Sequence, residues 1–458
     1  MKYSVITFGC RVNQADSLGF EEELREAGAV AVSPDAADLV VVNTCSVTAT
    51  ADQGARQTIR RIARDNPGAR IVVTGCYATR RPDEVAALPS VAHVVLNDDK
   101  PKLISVVRGV RLSFGGPQDR QPDRALRLQN VGEADISTAD RFADGNGVCG
   151  AAIEPGVAGR TAFTLRVQTG CAEPCSYCII PTTRGVPRSV RLDDITREVD
   201  RISAAGFKEI ALTGVHLGSY GRDLEPRASL IELMRHLHAW SASLSPRRAS
   251  GQAGERTEVR FRISSLEPMD CSREIVDLMA TSDRFAPHFH LPLQHASDRL
   301  LAAMRRPYTI AQYASLVDDI RTRIPHASIG SDIIIGFPGE TDLDMEQLAT
   351  YLERSPLTHI HVFPYSDRPG TPASTMRGKV PGGLIRERAR RIREIGQRLT
   401  ERFRDTQIGT THRALTLEDG SLAVTGNYLK VRIPPGRARN EWVSLRLTSH
   451  HDGELLGG

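Results

Sequence analysis

The sequence predicts an α/β protein in three parts: an N-terminal parallel α/β domain over residues 1–111, a complete or partial (βα)6 barrel within 161–407, and a small C-terminal β-barrel over 408–458. Three observations predict it. Short β-branched runs alternate with amphipathic stretches from residue 2 to about 97, which is the pattern of a parallel sheet covered by helices. The same alternation resumes at FTLRVQTG and runs through six strand-like segments to THIHVFPY, which suits a barrel better than an open sheet. From Ile408 the segments shorten, with EDG and TGNY as turn candidates, as in a small closed β-structure.

In the first part YSVITFG, DLVVVNT, ARIVVTG and HVVLN read as strands. DSLGFEEELREAG and TADQGARQTIRRIARDNP read as helices, with a short helix near Pro82–Leu88. Residues 112–160 lose all periodicity and fill with Gly, Pro, Asp and Arg, so they read as a linker. In the second part EIALTGV, VRFRISSL, HFHLPLQ and SIGSDIIIGF supply the inner strands, with helices such as DDITREVDRISAAG and IAQYASLVDDIRTRI between them. LIRERARRIREIGQRLTERFRD then predicts a basic helix. Between Arg377 and Asp405 ten Lys or Arg face four Asp or Glu, a local charge of +6 in a chain whose total is +4.

At 458 residues and 40% hydrophobic content the chain can bury more than one core. No stretch approaches the roughly 18 apolar residues of a membrane helix. The N-terminus opens directly on MKYSVITFGC, so a soluble, cytoplasmic protein with no membrane partner is expected. Eight cysteines are too sparse for a disulfide scaffold, and clustered thiols in a reducing compartment read as metal ligands or catalysts.

Three of the eight form one tight group. CAEPCSYC places Cys171, Cys175 and Cys178 at the spacing C-x3-C-x2-C directly after a strand. Three thiolates hold three irons of a cubane cluster and leave the fourth open to a ligand from outside the protein. A zinc knuckle would want a fourth Cys or His close by, and the nearest following histidine is His216. A second group is dispersed: Cys10, Cys45 and Cys76 each stand just past a different strand of the first sheet. Parallel strands end at one edge, so these three thiols can converge there, although three unrelated core thiols would also fit the pattern. Cys149, in the linker, and Cys271 match no ligand spacing.

Weaker signals lie around the barrel. Gly214, Gly218 and Gly221 in LTGVHLGSYG allow close backbone approach after a strand, a feature shared by ordinary βα loops. Gln294 and Asp332 stand near later strand ends, where barrel sites are built. His288, His290, His295, His359 and His361 fall mostly in alternating strand positions and read as satisfied barrel residues rather than a third metal site.

The cysteine spacing after the first barrel strand resembles the radical S-adenosylmethionine superfamily. CSYCIIPTTRG, LTGVHLGSYG, RISSLEP, HLPLQ, DIIIGFPGET and FPYSDRPGTPA together resemble its methylthiotransferases over nearly the whole chain, with GCRVNQADS, NTCSVT and TGCYA matching the N-terminal cysteine motifs. One departure is His295–Ala296, where many relatives carry Ser–Gly. The wording is nearest the branch acting on N6-threonylcarbamoyladenosine. The resemblance implies two 4Fe–4S clusters, a radical-generating one on Cys171, Cys175 and Cys178 and an auxiliary one on Cys10, Cys45 and Cys76. It further implies S-adenosylmethionine bound near Gly214, Gly218, Gln294 and Asp332, Asn13 and Asn43 as candidate pocket residues, and a tail similar to the RNA-binding TRAM barrel. The implied reaction is methylthiolation of C2 of the adenosine at position 37 of tRNA, with tRNA as partner. The reducing system and sulfur donor are not legible. The rivals are a methylthiotransferase acting on a ribosomal protein or on N6-isopentenyladenosine, and a non-catalytic iron–sulfur RNA-binding protein.

Overall fold

The computed structural model describes residues 1–109, 161–243, 258–417, 419–451 and 454–458. The linker expected at 112–160 and Cys149 fall outside the described residues. Two compact units are present, one over Met1–Ala152 and one over Ile153–Gly458.

The first unit runs β1 (Lys2–Thr7), α1 (Arg11–Glu26), β2 (Val30–Ala31), β3 (Leu39–Thr44), α2 (Ala49–Asp65), β4 (Arg70–Gly75), α3 (Cys76–Arg80), α4 (Pro82–Ala86), β5 (Val91–Val95) and α5 (Leu103–Gly109). Its sheet is wholly parallel in the order β2-β1-β3-β4-β5. LVVVNT of β3 is buried along its length because helices cover both faces, which is why the strand reads as an unbroken apolar run. One core lies between the sheet and α2, built on Val40, Val42, Ile59 and Tyr77. The other lies on the opposite face with Phe20, Leu24, Val41 and Leu103.

The second unit contains β6 (Ala162–Arg166), β7 (Gln168–Thr169), α6 (Ile180–Arg184), β8 (Arg188–Ser189), α7 (Leu192–Ala204), β9 (Glu209–Thr213), α8 (Leu230–Ser243), β10 (Arg260–Ile263), α9 (Arg273–Thr281), β11 (His288–His290), α10 (Asp298–Ala303), α11 (Ile310–Arg323), β12 (Ser328–Ile335), α12 (Asp342–Arg354), β13 (His359–Pro364) and α13 (Gly382–Gln407). Strands β6, β9 and β10 form one parallel ladder and β11, β12 and β13 another. Parallel bridges at Phe261–Phe285 and Ser265–His290 join them. The result is six parallel strands in chain order with no pairing of β6 to β13, a partial barrel. Period-two alternation sends Phe163, Leu165, Ile210, Leu212, Phe261, Phe289, Ile329 and Ile333 into the core under the helices. The other face therefore carries Thr164, Arg166, Glu209, Thr213, Arg260, Arg262, His288, His290, Asp332, His359 and His361, and the concave side is polar rather than packed with aliphatics.

A small closed barrel follows, β14 (Thr411–Leu417), β15 (Leu422–Thr425), β16 (Lys430–Arg432), β17 (Trp442–His451) and β18 (Glu454–Gly457), closed in the order β14-β15-β16-β18-β17. It is stitched to the partial barrel. Arg262, 1% exposed, donates to Gly426 O at 2.9 Å and to Glu209 Oε1 at 2.9 Å, and Asn427 donates to His326 O at 2.9 Å. Among the described residues no helix is long and apolar enough to cross a membrane.

Candidate functional site

In the first unit the chain reverses its direction of strand addition between β1 and β3, and ligands of such sheets bind in the crevice outside the strand carboxyl ends at that switch point. Cys10 precedes α1 just beyond β1, Cys45 follows β3, and Cys76 opens α3 after β4. Two glycines make this geometry. A Cβ on Gly9 (φ +91°) would lie 2.5 Å from Cys45 Cβ, and one on Gly75 (φ +98°) would lie 2.2 Å from Thr44 O. Each directly precedes a cysteine, so the loops carrying the thiols close against one another.

Asn13 and Asn43 are buttresses of these loops. Asn13 donates to Phe8 O at 2.8 Å and Thr44 O at 2.9 Å, while Asn43 donates to Asn13 O at 2.9 Å and Ser17 Oγ at 3.0 Å. The sulfurs receive N–H donors: Val47 N–H at 3.5 Å from Cys45 Sγ and Asn97 Nδ2 at 3.7 Å from Cys76 Sγ. Burial, reinforced by neighbouring Cys76 and Cys10, pushes the Cys45 thiol up to about 11. None of the three is in a disulfide; Cys10 is exposed and the other two are buried.

In the second unit the segment between β7 and β8 carries the C-x3-C-x2-C motif. Cys171 N–H donates to Gly185 O at 3.0 Å and Cys178 N–H to Cys175 O at 3.2 Å, while Ser176 anchors the loop to Ala303 O at 2.8 Å. Burial pushes Cys171 up to about 11 and Cys178 up to about 12. Cys175 also rises through burial, opposed by the charge and hydrogen bond of Arg306, whose Nη1 lies 3.2 Å from its sulfur. Arg306 is an important residue that the sequence did not flag. Its side chain is 1% exposed, pairs with Glu267 and donates to Tyr308 Oη at 3.1 Å. In MRRPY two adjacent arginines gave no hint of which one turns inward.

The donor sets test what the trios can hold. Thiols as far above neutrality as those of Cys45, Cys171 and Cys178 are inert by themselves and become thiolates only beside a cation. A single tetrahedral ion would need sulfurs about 3.8 Å apart, from bonds of about 2.3 Å. Among the described residues only His290, Asp332 and His361 gather three ligand atoms within 4.8 Å, so neither cysteine trio is drawn in that tightly. Three thiols at wider spacing, with N–H donors on the sulfurs, fit a multi-iron cluster.

The remaining predicted residues sit differently. A Cβ on Gly218 would lie 2.1 Å from the Asp270 carboxylate and one on Gly214 2.9 Å from Gln168 Oε1, so these glycines make room for the protein's own polar side chains. Asp270 accepts from His216 and Arg222 at 2.9 and 2.8 Å. Gln294 (φ +69°) bonds the β12 backbone on both sides of Ile333, with its N–H to Asp332 O and its carbonyl to Ile334 N–H, each at 2.8 Å. Asp332 faces His290 and His361 at 3.0 and 3.2 Å. Cys271 belongs to the apolar core, where burial pushes it up to about 12. The basic helix α13 is partly neutralised in place: Arg388 pairs with Glu340 and Asp342, Arg391 with Glu346 and Arg398 with Glu353.

Comparison with known proteins matches residues 2–97 to "Uncharacterized protein family UPF0004" and residues 165–352 to the "Radical SAM superfamily". A "Threonylcarbamoyladenosine tRNA methylthiotransferase MtaB" from Aquifex aeolicus is 34% identical over 94% of this chain and 96% of its own length. One of the same name from Bacillus subtilis is 33% identical over 87% and 80%. A "tRNA-2-methylthio-N(6)-dimethylallyladenosine synthase" from Corynebacterium glutamicum is 34% identical over 91% and 74%. Among solved structures the radical S-adenosylmethionine methyltransferase TsrM from Kitasatospora setae, with cobalamin and a 4Fe–4S cluster bound, aligns with a TM-score of 0.54 at 15% identity. The alignment covers 81% of this chain and 74% of that one, and it supports the fold.

Proposed function

The chain belongs to the radical S-adenosylmethionine methylthiotransferases, and on that premise we propose that it methylthiolates C2 of N6-threonylcarbamoyladenosine at position 37 of tRNA. It is an enzyme that uses S-adenosylmethionine and 4Fe–4S clusters. The observation that carries the substrate is the 34% identity to the Aquifex protein over 96% of that protein's length. The Corynebacterium relatives favour a second reading, N6-dimethylallyladenosine as the nucleoside.

Cys171, Cys175 and Cys178 would hold the cluster that meets S-adenosylmethionine, and Cys10, Cys45 and Cys76 the auxiliary one. When bound, these groups supply reductive sulfonium cleavage, methyl transfer and sulfur delivery, a route to an unactivated aromatic C–H that acid–base chemistry lacks. The chain's residues bury Cys45 and Cys76, set backbone N–H donors against the sulfurs of Cys45 and Cys171 and place Arg306 beside Cys175. Gly214, Gly218, Gln294 and Asp332 are carried as the S-adenosylmethionine side of the site, the first three through the loops they shape and Asp332 from within β12. We assign residues 1–111 to the auxiliary-cluster domain, 161–407 to the radical domain and 408–458 to RNA binding, in a cytoplasmic protein.

Mass spectrometry of tRNA nucleosides from cells with and without this protein tests the reading. A 2-methylthio derivative of N6-threonylcarbamoyladenosine should vanish on deletion. Loss of the dimethylallyl derivative would select the second reading. A change in a ribosomal protein with tRNA unaltered would refute both.

A further inference from the structure

The polar concave face of the partial barrel carries an unbroken series of rings. Tyr428, from the turn between β15 and β16, lies 5.0 Å from His288, which stacks on His359 at 6.3 Å with planes 22° apart. His359 meets His361 at 5.7 Å, His290 meets His361 at 5.4 Å, and His361 meets Phe363 at 6.4 Å. Strand register builds the series. His359, His361 and Phe363 share one face of β13 opposite Gly330, Asp332 and Ile334 of β12, and a Cβ on Gly330 would lie 2.2 Å from the His359 ring.

The two ends of the series are open. Phe363 is 42% and Tyr428 47% exposed, and the His361 side chain is 58% exposed, while the inner rings are covered. Strand β13 is the unpaired edge of its ladder, so His361 and Phe363 stand at the lateral mouth of the partial barrel. Tyr428 holds φ +67°, a conformation costly for a bulky residue, and there its ring stacks under Arg262 at 4.6 Å.

Such a surface has a chemical complement. An unstacked base offers a π-face to aromatic and imidazole rings and hydrogen-bonding edges to the groups around them. We propose that His361 and Phe363 form the seat on which an unpaired purine of the RNA substrate stacks, with Asp332 as the positioning residue that fixes the His361 ring. This rests on the RNA-modifying reading above. Asp332 Oδ1 faces His290 Nε2 at 3.0 Å and His361 Nδ1 at 3.2 Å, so in the tautomers that pair with the carboxylate each of these nitrogens donates its N–H and has no lone pair to offer a metal. His361 is left with Nε2 free for a base edge. Burial and the neighbouring imidazoles hold His359 down at about 4, which keeps the middle of the series neutral and stackable.

The test measures binding of a fluorescein-labelled anticodon stem-loop RNA carrying N6-threonylcarbamoyladenosine at position 37 to the full-length, cluster-reconstituted protein. His361→Ala and Phe363→Ala should each weaken binding about tenfold, the usual cost of a lost stacking ring. His361→Phe should stay within about twofold of wild type, and the loss in the Ala variants should be equal at low and high salt because stacking releases no counterions. Unchanged affinity in both Ala variants overturns the inference and leaves the RNA reading intact. Equal loss in His361→Phe and His361→Ala overturns it too. So does stoichiometric Zn²⁺ binding that Asp332→Asn abolishes while RNA affinity is untouched, since it would assign the trio to a cation. Failure of wild type to bind or modify the stem-loop defeats the function proposed above.

Discussion

Arg306 places Nη1 3.2 Å from the sulfur of Cys175, and its side chain is 1% exposed. A buried guanidinium so placed both donates to the sulfur and offsets its negative charge when it is a thiolate. Its other arm ties it to Glu267. Arg306→Met keeps the bulk and removes both functions, so cluster affinity or reductive cleavage of S-adenosylmethionine should fall about 10- to 100-fold, the usual range for partners of metal ligands. Iron content and 5′-deoxyadenosine formation measure it, and wild-type values for both would show Arg306 to be structural only.

The six motif cysteines divide between the two units, which predicts separable iron. Anaerobically reconstituted protein should approach about eight irons per chain, and Cys171, Cys175 and Cys178 changed together to Ala should leave about half, with no 5′-deoxyadenosine. Changing Cys10, Cys45 and Cys76 together should leave the other half and abolish the methylthio product while some reductive cleavage persists. If the second triple variant kept full product formation, buried structural thiols would account for that trio.

Much of this was legible because strands advertise themselves. β3, β4 and β12 carry runs of β-branched residues, and each motif cysteine of the first unit sits one or three residues past a strand. Topology carried the argument: parallel strands end together, so residues at their ends meet. The neighbours of the glycines are not legible in sequence. A Cβ on Gly214 would meet Gln168 and one on Gly218 would meet Asp270, residues 46 and 52 positions away along the chain. Helix α13 shows the same limit. Its surplus charge is visible in sequence, while the acids of α12 that answer it are visible only after folding. Arg306 was silent for that reason as well.

A pH dependence follows from Glu209. Burial alone would raise it, but Arg262 and Arg260 outweigh that and hold it at about 2. A carboxylate lowered in the folded state contributes stability that is complete above its unfolded value of about 4.3 and disappears as pH falls from there through the folded value. Urea unfolding should therefore lose up to about 3 kcal/mol between about pH 5 and pH 2 from this group. Glu209→Gln should be less stable at neutral pH, because two buried guanidinium groups lose their counter-charge, and its pH slope should be shallower. An identical slope in wild type and variant would remove Glu209 from the account.

RNA contact by the C-terminal barrel is best tested by point variants. Truncation at Ile408 would strip Gly426 and Asn427 from Arg262 and His326, so loss of binding there could reflect a damaged barrel. Lys430 is exposed on β16, whereas Arg432 pairs with Glu454 and Arg437 with Glu441. Lys430→Gln should weaken tRNA binding evenly across sequences and lower the salt slope by about one if Lys430 meets a phosphate. Titrations at several salt concentrations read this directly, and an unaltered slope would exclude Lys430 from the interface.

The alternation of the six barrel strands separates two kinds of heritable change. Residues facing the helices, such as Ile210, Phe261 and Ile333, answer to packing, and altering them threatens the whole unit. Residues at the alternate positions, such as Thr213, His290 and His361, face the cleft and lie outside that apolar core. A single nucleotide change at one of those alternate positions can therefore revise what the cleft accepts without dismantling the scaffold, which gives such a frame the means to diverge from one modified nucleoside to another.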